Sequence, residues 1–400
     1  VPVSFNNLGT GVAQPFTLTQ GMPLTGVQDL DNPQAALVGA SASNPFSAGG
    51  VSYQSIAPLS LNQQWNASVQ QQMIADTVIE IGYVGSHAVH LPLYLQGNLP
   101  AFAQATEVAY ANTTLATQNA RMFPTLGTLT GSYNVGNSTY HSLQVTARRR
   151  FGSSFSLQSS YTWSHTIDDG SGIFNFSQAN GINAGQYPSD PVLRRTQDRS
   201  SSSFDVRNNY TLAIQYKTRG PWFTRNIQIS PIFSARSGFP LTITQSNVFP
   251  GVNSQRPNGD VSRLKITPYR NGSGIQYWKP TSASDFPLSP SGPVFVGTGA
   301  ARRQIVATGL GNVGRYSVRA PGEVNLDVSV SRRFPIYKGL AFVFRVDAFN
   351  VLNHNNLNNP GASLGLTTDA THAFFNAPSF GLITGSNSNR FLQIVTRINF

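Results

Sequence analysis

Few side chains in this sequence stand where chemistry would need them. Ile167-Asp-Asp-Gly170 sets two carboxylates together, as a calcium loop would, but the Asp-x-Asp-x-Asp-Gly spacing and the closing Glu are absent. It reads instead as a solvated acid pair in a loop. His87 and His90 are close enough in sequence to share a metal, yet no third ligand lies near them, so both read as strand-end or loop histidines. His354, among Asn353, Asn355 and Asn356, reads as a turn. Ser, His and Asp are present without a Gly-x-Ser-x-Gly elbow, and Gly170-x-Gly172 has no helix behind it to receive a phosphate. The absence of cysteine removes thiolate metal sites, disulfides and Cys nucleophiles. No enzyme reading survives, and no cofactor or metal is expected.

Charge is the remaining chemical signal. Lys and Arg outnumber Asp and Glu by 27 to 16, for a net charge of +11. The arginines fall in short, scattered groups such as Arg148-Arg149-Arg150, Arg194-Arg195 and Arg332-Arg333, with no basic run of the nucleic-acid type. Nucleic acid is therefore not an expected partner. Arg148, Arg150, Arg333, Arg345 and Arg397 each sit on the polar side of an alternating segment. They are candidates to face a wet interior, meeting an anionic solute or simply solvated.

The segments that place them are strands. In Phe391–Phe400, Leu392, Ile394, Thr396, Ile398 and Phe400 share one face, and Gln393, Val395, Arg397 and Asn399 share the other. The length matches the 9–11 residues, roughly, with which a tilted strand crosses a bilayer. An aromatic terminus, Phe400, suits the closing strand of an outer-membrane barrel and is a candidate assembly signal. Only 11% of residues are charged, against roughly 25% in an average soluble domain. Mean hydropathy is −0.17, and no apolar run approaches a membrane helix. Barrel strands alternate apolar and polar residues, so their mean hydropathy is unremarkable. The fold class expected is all-β, a transmembrane antiparallel β-barrel.

Taken in order, residues 1–61 read as an extracellular loop region with a strand tip at Gln14–Gln20, and 62–400 as the carboxy-terminal part of a barrel. Alternation predicts hairpins over 62–73 with 78–87, 139–151 with 154–165, 204–217 with 225–244, and 322–334 with 339–351, and then the terminal strand. Pro231 has no N–H for a ladder and marks an expected bulge or weak point. Connections alternate between short, near 74, 152, 220 and 337, and long, over 88–138, 166–203, 245–320 and 352–388. Short periplasmic turns and long extracellular loops are the rule in bacterial outer-membrane barrels. About nine strands result. Since single-chain barrels have even counts and leave no edge open in lipid, further strands upstream of Val1 are expected.

Gln63-Gln-Trp-Asn-Ala-Ser-Val-Gln70, Glu80-Ile-Gly-Tyr-Val-Gly-Ser-His87, Ser138-Thr-Tyr-His-Ser-Leu-Gln-Val145 and Tyr161-Thr-Trp-Ser-His-Thr-Ile-Asp168 form an ordered set. Asp205-Val-Arg-Asn-Asn209, Ser237-Gly-Phe-Pro240, Gly311-Asn-Val-Gly-Arg315 and Arg345-Val-Asp-Ala-Phe-Asn-Val-Leu-Asn-His354 continue it. The set, over about residues 50–400, resembles the carboxy-terminal barrel of TonB-dependent outer-membrane receptors, nearest the Oar-like branch with its carboxypeptidase-regulatory-like amino-terminal domain. That resemblance implies a barrel of about 22 strands plugged by an amino-terminal domain. It implies uptake of a bulky nutrient (a glycan, peptide or metal chelate) with energy from the TonB complex, contacted through a plug outside these residues. It also implies insertion in outer-membrane lipid through the barrel-assembly machinery, acting on the carboxy-terminal strand. No catalytic residue is carried over. On this reading the inward arginines also have plug acids as candidate partners.

Two other readings share the alternating strands. A secreted or surface β-sandwich adhesin or carbohydrate binder would be soluble without detergent and show no side bias in loop length. A passive porin would share the barrel and lack a plug. The substrate is not legible. Tyr277 and Trp278, with Phe374 and Phe375, sit in expected outer loops and are candidates to stack on a ligand.

Overall fold

The computed structural model describes residues 50–51, 56–73, 76–97, 129–171, 185–245, 254–278, 294–296, 303–305, 310–364, 367–368, 373–374 and 378–400, apart from positions 153, 187–189, 273, 338 and 388. The strand tip expected at Gln14–Gln20 lies outside them.

Nine long strands carry the fold: β1 (Leu61–Gln72), β2 (Thr77–Gly97), β3 (Leu129–Phe151), β4 (Phe155–Asp168), β5 (Asn208–Lys217), β6 (Ile227–Arg236), β7 (Glu323–Tyr337), β8 (Leu340–Phe349) and β9 (Phe391–Asn399). They lie side by side in chain order in one sheet, each antiparallel to the next. The two-residue strands Gly50–Val51 and Ser200–Ser201 add to β3 and β4.

Register turns the period-two pattern of each strand into two continuous faces. Directly paired residues point the same way, so the apolar side runs from Val69 to Ile81, Val145 and Tyr161, and on to Tyr210. Across the last hairpin it continues from Val330 through Val346 to Ile394. The opposite face pairs Gln70 with Glu80 and Thr146, then Ser160 and Thr211. Among the described residues no second sheet packs on the apolar side. Val69 (72%), Ile81 (50%), Trp163 (54%) and Ile394 (67%) stay exposed, and Val145, Tyr161, Tyr210 and Val346 are half-buried.

Each short connection carries a residue at positive φ: Asp76 (54°), Gly152 (53°), Asn226 (63°) and Gly339 (95°). Asp and Asn tolerate this conformation and Gly adopts it without steric cost, which lets the chain reverse within a few residues.

One expected boundary is corrected. The connection read over 88–138 is shorter, because β2 and β3 stay paired to Gly97 and Leu129. Their outer halves pass through register shifts between Ala88 and Pro92, with His90 at φ 56°. Strands of 21 and 23 residues outrun a bilayer, and in their outer halves Leu93 and Leu95 are buried in a small cluster with Tyr133 and Val135. Of the bulge or weak point expected at Pro231, the weak point is found and no bulge forms. The register to β5 holds on both sides, but the ladder is interrupted between Ala213↔Ile232 and Tyr216↔Ile229. A missing N–H removes a bond without adding a residue.

The larger buried apolar cluster lies in the long connections, and a smaller one, Leu93 with Leu95, on β2. Ile243, Trp278, Val313, Val318, Leu364 and Ile383 belong to one cluster drawn from the segments between β6 and β7 and between β8 and β9. Gly274–Trp278 is the middle strand of a small sheet with Ile266–Asn271 and Leu382–Ile383.

Candidate functional site: the polar face and its outer rim

The five arginines singled out from the sequence share the polar face. Arg148 lies opposite Gln158, Arg150 opposite Ser156, Arg345 opposite Ser331, and Arg333 joins Arg397 through Val343. Arg345 ion-pairs with Asp347 two residues along the same strand, Nη2 to Oδ2 2.7 Å. Among the described residues Arg148, Arg150, Arg333 and Arg397 have no carboxylate in ion-pair range. Lys217 joins them on this face, opposite Gln228, and among the described residues it too has no carboxylate in ion-pair range. Its signal was present in the alternation Asn209, Thr211, Ala213, Gln215, Lys217. Lys217 and Arg333 line a concavity of about 770 Å³ at the short-turn end, with Gln228, Ser331 and Tyr337. The polar face is thus electropositive towards that end.

At the long-loop end a buried ionic network closes over the strand ends. Asp168, last in β4, receives Arg315: Nη2 is 2.5 Å from Oδ1 and 2.7 Å from the Asp168 carbonyl oxygen, and Nε donates to the Asp198 carbonyl at 2.6 Å. Asp198 in turn accepts from Arg256 Nη1 at 2.9 Å. Asp205 accepts from the Thr166 N–H at 2.7 Å, from Arg207 Nε at 3.0 Å and from Arg319 Nη2. Asp169 accepts from the Asn137 N–H and side-chain amide at 2.6 and 3.0 Å, with Arg194 Nε 3.8 Å away. Burial depresses the Arg256 and Arg194 guanidinium pKa values, and the facing Asp198 and Asp169 oppose the shift.

The local chain is built for these contacts. Asp190 Oδ1 caps the turn that begins at Pro191, accepting from the Val192 and Leu193 N–H groups, and that turn delivers Arg194 and Asp198. The Gln186 amide bridges two further segments, accepting from Arg256 N and donating to the Gly311 carbonyl at 2.8 Å. A Cβ on Gly311 would lie 1.9 Å from the Arg256 carbonyl oxygen, so only glycine allows this approach.

Several expectations change here. Asp168 and Asp169 are buried and paired, not a solvated loop pair, because the loops fold back and supply guanidinium partners. Tyr277 and Trp278 are also buried. Trp278 packs on Phe380 with ring centroids 5.4 Å apart and on Tyr277 at 5.9 Å, so both rings hold the loop core together and neither is offered to a ligand. The side chain of Phe374 and all of Phe375 lie outside the described residues. His87 meets Thr139 Oγ1 at 3.0 Å, His90 lies 3.3 Å from the Leu59 carbonyl, and His354 closes a turn with Asn350. Phe400 extends past β9, fully exposed. The network itself escaped sequence reasoning. A faint signal existed, since Asp168, Asp205, Arg207 and Arg315 all fall within the quoted motifs.

A search of curated proteins finds no match. Among solved structures the chain is similar to the outer membrane transporter YddB of Escherichia coli, with 10% identity, a TM-score of 0.43, and coverage of 88% of this chain and 34% of that one. It is also similar to the ferripyoverdine receptor of the outer membrane of Pseudomonas aeruginosa, with 10% identity, a TM-score of 0.39, and coverage of 85% and 27%. The chain therefore spans about a third or less of the length of these two structures. Residues 2–393 match the outer membrane β-barrel domain, and with that match the chain belongs to this family of outer-membrane proteins.

Proposed function

We propose that the chain forms part of the wall and outer rim of a TonB-dependent receptor of the Oar-like branch, which takes up a bulky nutrient across the outer membrane. The observation that carries the reading is the division of the nine-strand sheet into one continuous, uncovered apolar face and one polar face. Lipid would satisfy the first and a water-filled interior the second. The motif resemblance supplies the TonB dependence. The polar-face cations Arg148, Arg150, Lys217, Arg333 and Arg397 then point to the interior, where a plug's acids or an anionic solute would meet them. Phe400 and β9 would present the terminal strand to the barrel-assembly machinery.

The test is genetic and physical. Deletion of the gene should abolish growth on one class of large nutrient, and so should loss of TonB function. The protein should be heat-modifiable and sediment with outer membranes. Uptake that persists without TonB would overturn the energised-receptor reading and leave a passive channel.

A further inference from the structure

With Tyr277 and Trp278 inside the loop core, the rim offers a different concavity, of about 580 Å³, built between two strand pairings. On one side Ile275 pairs with both Arg270 and Ile383, which puts the three side chains on one face. On the other side Asn356–Leu357 pairs with Ser386–Asn387, and the Asn358 N–H donates to the Gly385 carbonyl at 3.0 Å. A Cβ on Gly274 would lie 2.7 Å from the Ile383 carbonyl oxygen, so the wall is drawn in as far as backbone allows. Its segments come from the β6–β7 and β8–β9 connections, which places it at the long-loop end.

The lining is chemically one-sided. Ile275 and Leu357, half-buried over the core residue Ile383, give an aliphatic floor and Tyr269 an exposed aromatic edge. Asn355, Thr384 and Ser386 give neutral hydrogen-bonding groups. Arg270 is the one charged group, exposed, and among the described residues no carboxylate lines the site or pairs with it. A guanidinium left without a protein acid, beside hydroxyls, an amide and an apolar floor, suits a ligand that carries a carboxylate, several hydroxyls and a C–H face together.

We propose that this rim site binds an acidic saccharide, its carboxylate on Arg270, its hydroxyls on Asn355, Thr384 and Ser386, and a sugar face on the aliphatic floor. The inference rests on the receptor reading above and names the substrate class of that receptor. Its test uses protein extracted from outer membranes, with binding of trigalacturonic acid measured by calorimetry beside neutral maltotriose and triglutamate. Trigalacturonic acid should bind best, and Arg270→Gln should weaken it roughly ten- to a hundredfold, with Arg270→Lys intermediate. Should Arg270→Gln fail to assemble, Thr384→Val on the facing wall should weaken the same probe. Fractionation keeps the two claims apart. Absence from the outer membrane defeats the receptor reading. Inserted protein that ignores trigalacturonic acid, binds triglutamate as tightly, or is indifferent to Arg270→Gln overturns the saccharide site alone.

Discussion

Arg315 reaches back 147 residues along the chain to Asp168, its Nη2 2.5 Å from Oδ1, with both side chains withdrawn from solvent. Buried ion pairs contribute little net stability compared with an apolar pair, but removing one partner strands the other charge at a cost of about 3–5 kcal/mol. Arg315→Met leaves Asp168 in that position and also removes a donor from the Asp198 carbonyl. We expect the outer rim to loosen while the sheet survives. Limited proteolysis of intact cells should then cut within the rim segments 190–207, 237–245 or 310–320 many times faster than in the wild type, with the heat-modifiable barrel band unchanged. Equal protection of variant and wild type would show that the network does not hold the loops.

How legible all this was depends on distance along the chain. The faces of β3 and β4 follow from Leu143, Val145 and Phe155, Leu157 because alternation is a local property and a short turn fixes the register. The extension of β2 past His90 did not show, since the register shifts between Ala88 and Pro92 separate Leu93 and Leu95 from the alternating run before them. Asp168 and Arg315 each fall within a quoted motif, but nothing local joins the two motifs. Asp169 looked solvated because its partner Arg194 comes from a different part of a polar loop. The burial of Trp278 depends on Phe380, 102 positions away, in another connection. Residue type alone marked Trp278 as available.

The two faces of β7 should respond oppositely to charge. Val330 is on the apolar face, paired with Ile229 and Val346. Ser329 faces the other way, opposite Asp347. Arginine on a lipid-facing position costs about 2–4 kcal/mol near midplane. Val330→Arg should therefore lower the amount of folded protein in the outer membrane and its folding free energy into vesicles by that order. Ser329→Arg should change both little, because its guanidinium meets Asp347 and water. Equal losses from the two would argue against the assignment of faces.

Gly85 is required by one neighbour. A Cβ there would come 2.3 Å from Trp65 Nε1, whose ring covers the glycine from the adjacent strand. Trp65 Nε1 donates to the Tyr83 hydroxyl at 3.3 Å, and that hydroxyl lies 2.7 Å from His141 Nδ1, so the ring has little freedom to retreat. Gly85→Ala should destabilise the protein by about 1–3 kcal/mol, the usual cost of overpacking. Trp65→Ala in the same chain should restore most of it. A double-mutant cycle by urea unfolding in detergent measures the coupling, and additive costs would mean that the glycine serves some other constraint.

Tyr316 links the rim network to alkaline pH. Burial raises its phenol above the ordinary 10.0, which outweighs the opposing pull of the Arg315 guanidinium and of a hydrogen bond with Ser203. A group whose folded pKa is raised gives stability that is fully present below its unfolded value and is lost as pH rises through the folded one. Rim stability should therefore be flat up to about pH 10 and fall above it, as the phenolate is forced into a site that excludes it. The Tyr316 ring also lies 5.0 Å from the Arg315 guanidinium carbon, so its ionisation should disturb the Asp168 contact as well. Tyr316→Phe keeps the ring and removes the titration. It should protect the loops from proteolysis above pH 10 relative to the wild type, and ultraviolet titration should lose one late-ionising tyrosine. If the wild type and Tyr316→Phe lose protection at the same pH, another group governs the alkaline opening of the rim.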